Sequence, residues 1–304
     1  MPNAEFGFVF QEDNPMVERK TMRPITLRRV IEICSLATQN KHLTVETASN
    51  KLNCSESRAK EMLLEVEKMG LLNYSDNFWA SNNRTSEFLE YFEKEEWPKI
   101  HQYFLENYQF YKEFIRILQG HIAEQQGLSM NDIVKESTEH KLHLNKTAVE
   151  VLTDWCERLG VIQRNLYSAK IYLLKEETEK LENFIKTLVK IYRKLAFSQW
   201  HKEVYVEIPL IRENVCEELK ISRNTFDNLL KEAYIKNVGR IEFSGAPITT
   251  FAKKSPLSEK KLTPIGKEAI MSAKSTLKKE REGLIIGKKS YYYIAIHGIT
   301  KEYF

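Results

Sequence analysis

The side chains best suited to chemistry are cations that come in pairs. Lys253-Lys254, Lys260-Lys261, Lys278-Lys279 and Lys288-Lys289 all fall late in the chain. From Phe251 to Phe304 there are 12 Lys and Arg against 5 Glu, a balance of +7, although the whole chain carries only +4. Clustered ammonium groups displace counterions from a sugar–phosphate backbone, so this segment suits salt-dependent contact with nucleic acid. Upstream, Arg223, Asn224 and Thr225 occupy the first turn of an expected helix capped by Ser222. Such residues reach base edges and phosphates when a helix end enters a groove. Lys60 and Lys146 are the matching cations of two earlier helices.

Other chemistry finds little support. There is no GxxxxGK[ST], GxSxG, HExxH or GxGxxG run. GLIIGKKS resembles a phosphate loop only superficially, because its two glycines are too close and no helix follows. Cys34, Cys54, Cys156 and Cys216 are isolated, with no CxxC pair, so they read as buried small hydrophobes. His140 and His143 form one i, i+3 pair with no second pair to complete a metal site. The expectation is a non-enzymatic protein with no catalytic residues, cofactor, metal or small-molecule substrate.

The elements that must position these groups follow from apolar spacing. Ile25 to Leu36 forms a broad helical stripe, Thr44 caps a second helix, and Ser55 caps a third. In that third helix Ala59, Met62, Leu63, Val66 and Met69 share one face. Leu64 then faces outward with Ser57, Lys60, Glu61 and Lys68, which suits a protein partner. Gly70 ends the helix in a left-handed conformation, and LLNYSDNFWAS reads as a hairpin. The pattern returns in LSMNDIVKEST, LNKTAVEVLTDWCERLG and VIQRNLYSAKIYLL, and again from EVYVEI through PLIRENVCEEL and ISRNTFDNLL to GRIEFSGAP. Gly70 and Gly160 end equivalent helices. A fixed period of this kind marks a repeat architecture.

These three helix–helix–hairpin units resemble the tandem winged helix-turn-helix superfamily. The resemblance implies a mainly α fold with small β-hairpins (α+β) and double-stranded DNA as the commonest ligand, with protein contact as the fold's second use. The expected organisation is an N-terminal arm over 1–23, winged helices over 24–82, 108–175 and 203–304, and helical connectors over 83–107 and 176–202. GRIEFSGAP and SYYYIAIHG would be the two arms of an enlarged basic wing over 248–289, holding a helix within TPIGKEAIMSAKSTLKKERE.

The first connector, with ten aromatics between Phe88 and Phe114, reads as core packing in two helices broken by Pro98. The second reads as a stiff spacer or a homodimer seam. Counted by charge, the three candidate recognition helices balance at −1 (55–69), −1 (145–159) and 0 (222–233), so none is basic. The expected function is therefore duplex DNA binding through the third unit and its wing. The alternative is a scaffold subunit of a nucleic-acid-processing or defence complex. No segment approaches the ~20 apolar residues that span a bilayer, and Met1–Pro15 lacks a signal peptide's features. A cytoplasmic location is expected, or a nuclear one in a eukaryote.

Overall fold

The computed structural model describes residues 21–124, 126–139, 143–175, 179–196, 204–245, 266–271 and 283–298. The architecture is mostly helical with small antiparallel sheets. One order of elements recurs three times.

The first unit begins with α1 (Leu27–Gln39), whose N-cap Thr26 accepts from Arg29 N. Leu43 bridges to Trp79 in antiparallel fashion. Then follow α2 (Val45–Leu52), capped by Thr44, and α3 (Glu56–Lys68), capped by Ser55. Ala59, Met62, Leu63 and Val66 are the buried face of α3. Gly70 takes φ +73°, and a Cβ there would lie 3.1 Å from Arg84 Nη1, so glycine is the residue that turns the chain here. β1 (Leu72–Ser75) and β2 (Phe78–Ser81) form the hairpin. Its turn residues Asp76 and Asn77 both have positive φ, as a two-residue primed turn requires.

Two helices, α4 (Asn83–Glu93) and α5 (Trp97–Asn107), lead to the second unit. That unit comprises α6 (Gln109–Gly120), an antiparallel bridge between Leu128 and Ile171, α7 (Met130–Glu139), α8 (Lys146–Arg158), β3 (Ile162–Arg164) and β4 (Ile171–Leu173). The aromatic stretch thus forms three helices rather than two. The expected break falls just before Pro98, which sits in the first turn of α5, and a second break falls at Tyr108, where the backbone is extended. Phe88, Phe92, Trp97, Tyr103, Phe104, Tyr108, Phe110, Tyr111 and Phe114 are all buried.

The third unit contains α9 (Leu181–Ala196), β5 (Val206–Glu207), α10 (Ile208–Leu219), α11 (Arg223–Lys236), β6 (Ile241–Gly245), α12 (Lys267–Met271), β7 (Leu284–Ile286) and β8 (Lys289–Ile296). β8 is the hub of the sheet and pairs antiparallel with β5, β6 and β7. The expected pairing of the GRIEFSGAP and SYYYIAIHG arms is present as β6 with β8. The expectation for the second connector needs correction. Phe184, Leu188, Ile191 and Tyr192 of α9 are buried in the third unit's own core, so α9 is that unit's first helix and neither a spacer nor a dimer seam.

Two cores result. One runs from Met22 to Ile171 through the first two units and takes in Ile270; the other joins Tyr172 of β4 to the third unit's residues from Phe184 to Ile294. The link between the first two units is aromatic. Trp155 lies 5.1 Å from Phe104 and 6.1 Å from Tyr108, centroid to centroid, and its Nε1 donates to Ile25 O at 3.1 Å. Among the described residues no helix is long and apolar enough to cross a membrane.

Candidate nucleic-acid interface

The first turn of α11 was the best-supported place for base contact, and its geometry corrects that expectation. Ser222 Oγ accepts from Thr225 N at 3.1 Å and lies 2.9 Å from Thr225 Oγ1, so the threonine hydroxyl belongs to the cap. Arg223 is buried. Its Nε and Nη2 donate to the two carboxylate oxygens of Glu213 at 2.5 and 2.8 Å, a bidentate pair. Nη2 also donates to Arg164 O at 2.6 Å, and the Arg223 backbone N–H donates to Gln163 Oε1 at 3.0 Å. Strand β3 of the second unit therefore lies against the end of α11 that would enter a groove. Of the three nominated residues only Asn224 is exposed.

The rest of α11 continues this pattern. Asp227 is buried and accepts from Arg212 Nε at 2.8 Å and Nη2 at 3.3 Å. Burial raises the Asp227 pKa, and the guanidinium of Arg212 opposes that shift. A charge count gave Arg223 and Asp227 the same weight as surface ions, whereas both are locked inside. The open face carries Asn224, Asn228, Glu232, Ile235 and Lys236, and Lys236 pairs with Glu232 at 2.8 Å. Apart from Ile235 it is polar and close to neutral.

The lysines are distributed over the molecule. Lys288 and Lys289 sit at the tight turn between β7 and β8, where Gly287 has φ +58°. Both are exposed, and neither has an ion-pair partner among the described residues. Lys253, Lys254, Lys260 and Lys261 lie outside the described residues. Lys60 and Lys146 are exposed on α3 and α8, and no recorded contact joins either of them to Lys288 or Lys289.

The enlarged wing also differs from expectation. Its described helix, α12, docks on the first unit: Ile270 is 1% exposed within the first core, and Arg28 Nη1 donates to Met271 O at 3.3 Å. Lys267 Nζ pairs with Glu93 at 2.6 Å, and its backbone N–H donates to Glu95 at 3.0 Å. Apolar Ile270 needs cover, and α1 supplies it. The described helix α12 is therefore packed on the first unit.

Leu64, the nominated partner contact, is half-buried and packs against the first core. One reason lies beside it. Glu65, counted in the sequence as a surface acid, is 0% exposed. It accepts from Tyr108 Oη at 2.5 Å and from Arg23 N at 3.2 Å. Burial raises its pKa against those hydrogen bonds. The later part of the outer face, from Glu61 through Leu64 to Lys68, is half-buried, whereas Ser57 and Lys60 remain exposed.

Sequence reasoning missed a different apolar surface. Ile235 and Val238, at the end of α11, are 71% and 77% exposed. Nearby is a shallow open groove lined by Ile185, Leu188, Val189, Ile241 and Ile296 with Arg240 and His297. No local pattern marks this surface, because adjacent apolar pairs such as Val30-Ile31 and Phe114-Ile115 are both buried elsewhere in the molecule. Among the described residues no cluster of three His, Cys, Asp or Glu side chains is arranged to hold a metal ion. Compared with protein-family models the chain matches none, and no curated protein matches it.

Proposed function

We propose that this chain is a non-enzymatic duplex-DNA-binding protein of three winged-helix units that grips the sugar–phosphate backbone rather than reading bases with α11. The observation carrying this reading is the pair Lys288 and Lys289 at the β7–β8 turn, exposed and unpaired among the described residues, while the second unit covers the N-terminal end of α11. The +7 balance of residues 251–304 extends the positive charge along the sequence. The winged-helix assignment is supported by the recurring order of elements. In every unit an extended residue or short strand between the first two helices pairs with the last strand.

The test is a salt titration of duplex binding. Replacing Lys288 and Lys289 by Ala should weaken binding uniformly across sequences and lower the slope of log K against log salt by about 2. Adding Lys253, Lys254, Lys260 and Lys261→Ala should lower it further. An unchanged slope in the six-site variant contradicts the proposal.

A second reading, an adaptor that docks a protein, is favoured by the exposed Ile235 and Val238 beside their groove, since contiguous apolar surface commonly marks interaction sites. Ile235→Asp would then release a co-purifying partner while leaving DNA affinity unchanged.

A further inference from the structure

α12 is five residues long, too short to hold as a helix without outside support. That support comes from the first unit, across 172 to 243 positions of sequence. Ile270 is 1% exposed within the first core, and half-buried Met271 packs beside it. Arg28 Nη1 of α1 donates to Met271 O at 3.3 Å. At the other end of the helix, Lys267 Nζ donates to Glu93 Oε2 at 2.6 Å and Lys267 N donates to Glu95 Oε1 at 3.0 Å.

The receiving surface is acidic. From Glu87 to Glu96, across the end of α4, five Glu stand against one Lys, a balance of −4. Three of these acids are matched locally: Glu87 accepts from Tyr91, Glu90 pairs with Lys94, and Glu96 pairs with Lys99 at 2.9 Å. Among the described residues the side-chain partner of Glu93 and Glu95 is Lys267. Glu95 sits in the left-handed region at φ 56°, which an L-residue adopts at some cost. From that turn its carboxylate reaches α12.

The docked helix belongs to a basic stretch. Between the end of β6 and the start of β7, residues 246–283 carry nine Lys and Arg against four Glu, a balance of +5. Lys267 thus meets two carboxylates much as a cation meets phosphate oxygens. The attachment is small: one fully buried apolar side chain, and an ion pair in which Glu93 is 68% exposed. Exposed pairs contribute little and are screened by salt, so a duplex offering many phosphates competes with this one. We propose that docked α12 is an autoinhibitory latch, in which Glu93 and Glu95 occupy Lys267 in place of phosphate and duplex DNA displaces the helix from the first unit. The latch rests on the duplex-binding reading above and adds to it a closed state that binds DNA more weakly.

The experiment measures docking and duplex affinity together on the full chain. A carbodiimide couples the Glu93 carboxylate to the Lys267 ammonium when the two are paired, and peptide mass spectrometry reads the crosslink. It should form in the free protein and fall away as a duplex is titrated in at low salt. Ile270→Ser alters no charge but removes the buried anchor. It should lose the crosslink and bind the duplex about tenfold more tightly, the gain when the competent fraction rises from about a tenth to nearly all. Glu93→Gln combined with Glu95→Gly opens the latch from the other side and should match that gain, with glycine keeping the left-handed turn. Glu87→Gln combined with Glu90→Gln removes the same charge from acids that pair with Tyr91 and Lys94 instead of α12, and should gain much less. Three results overturn the latch while duplex binding stands: no crosslink in the free protein, a crosslink intact at saturating duplex, or opened variants that bind no more tightly than that control. If neither wild type nor the opened variants bind duplex, the duplex reading fails and the latch with it.

Discussion

The two junctions between units are built from opposite materials. Between the first and second units the contact is aromatic: Trp155, Phe104 and Tyr108 belong to one continuous core, with Glu65 as a buried carboxylate within it. Between the second and third units it is polar: Gln163, Asn165, Glu213, Glu217 and Arg223 meet through directional hydrogen bonds. Apolar contact is nearly indifferent to small shifts in angle, whereas directional hydrogen bonds such as those of Asn165 to Glu217 and Arg223 to Arg164 fix orientation. The first junction therefore merges two units into one cooperative block. The second holds a separately cored unit at a defined angle and, in doing so, closes the helix end that would read DNA.

The largest expected effects come from breaking each junction at its centre. Trp155→Ala should destabilise the first block by about 3–5 kcal/mol, as large aromatic truncations do. Arg223→Ala leaves Glu213 buried without its partner and should cost about 3–5 kcal/mol, the range for one-sided removal of a buried pair. Calorimetry distinguishes the two, because Trp155→Ala should lower the transition of the first two units and Arg223→Ala that of the third. A single transition displaced equally by both would mean that the junctions are not distinct.

A smaller, pH-dependent effect separates polar from apolar. Hydrogen bonds to Glu124 and Glu136 raise the His121 pKa above its ordinary 6.5. The folded state therefore binds the proton more tightly than the unfolded one. The stabilisation is complete below pH 6.5 and disappears as pH rises through the raised value. The Tm gap between wild type and His121→Gln should be widest near pH 5.5 and should close in mildly alkaline buffer. A gap independent of pH would show that the imidazole is not charged in this role. The smallest effect belongs to Asn224→Ala. This exposed neighbour of Arg223 should change stability by no more than about 0.5 kcal/mol.

What was legible in the sequence was local. Thr44, Ser55 and Ser222 cap the helices they were expected to cap, Gly70 and Gly160 adopt positive φ, and β1 and β2 close where Ser-Asp-Asn was read as a turn. Each depends on a few adjacent residues. Arg223 and Glu65 were misread because a charged residue on a helix looks the same whether it faces water or a partner. Their partners lie 10 and 43 positions away, and Arg164 lies 59 from Arg223. The docking of α12 on α1, with Arg28 reaching Met271 across 243 positions, has no local signature at all. Candidate sites at the unit seams were therefore the least readable part, since a seam is defined by which surfaces meet.

The central claim is that the protein grips phosphate without reading bases through α11. The most direct measurement is the affinity of the full chain for unrelated duplexes of equal length and varied composition at one fixed salt concentration. The account predicts affinities within about one order of magnitude of each other, because backbone contacts carry no sequence information. A preference of ~10³ or more for one duplex, the range of specific recognition, lost on Asn224→Ala, would contradict it.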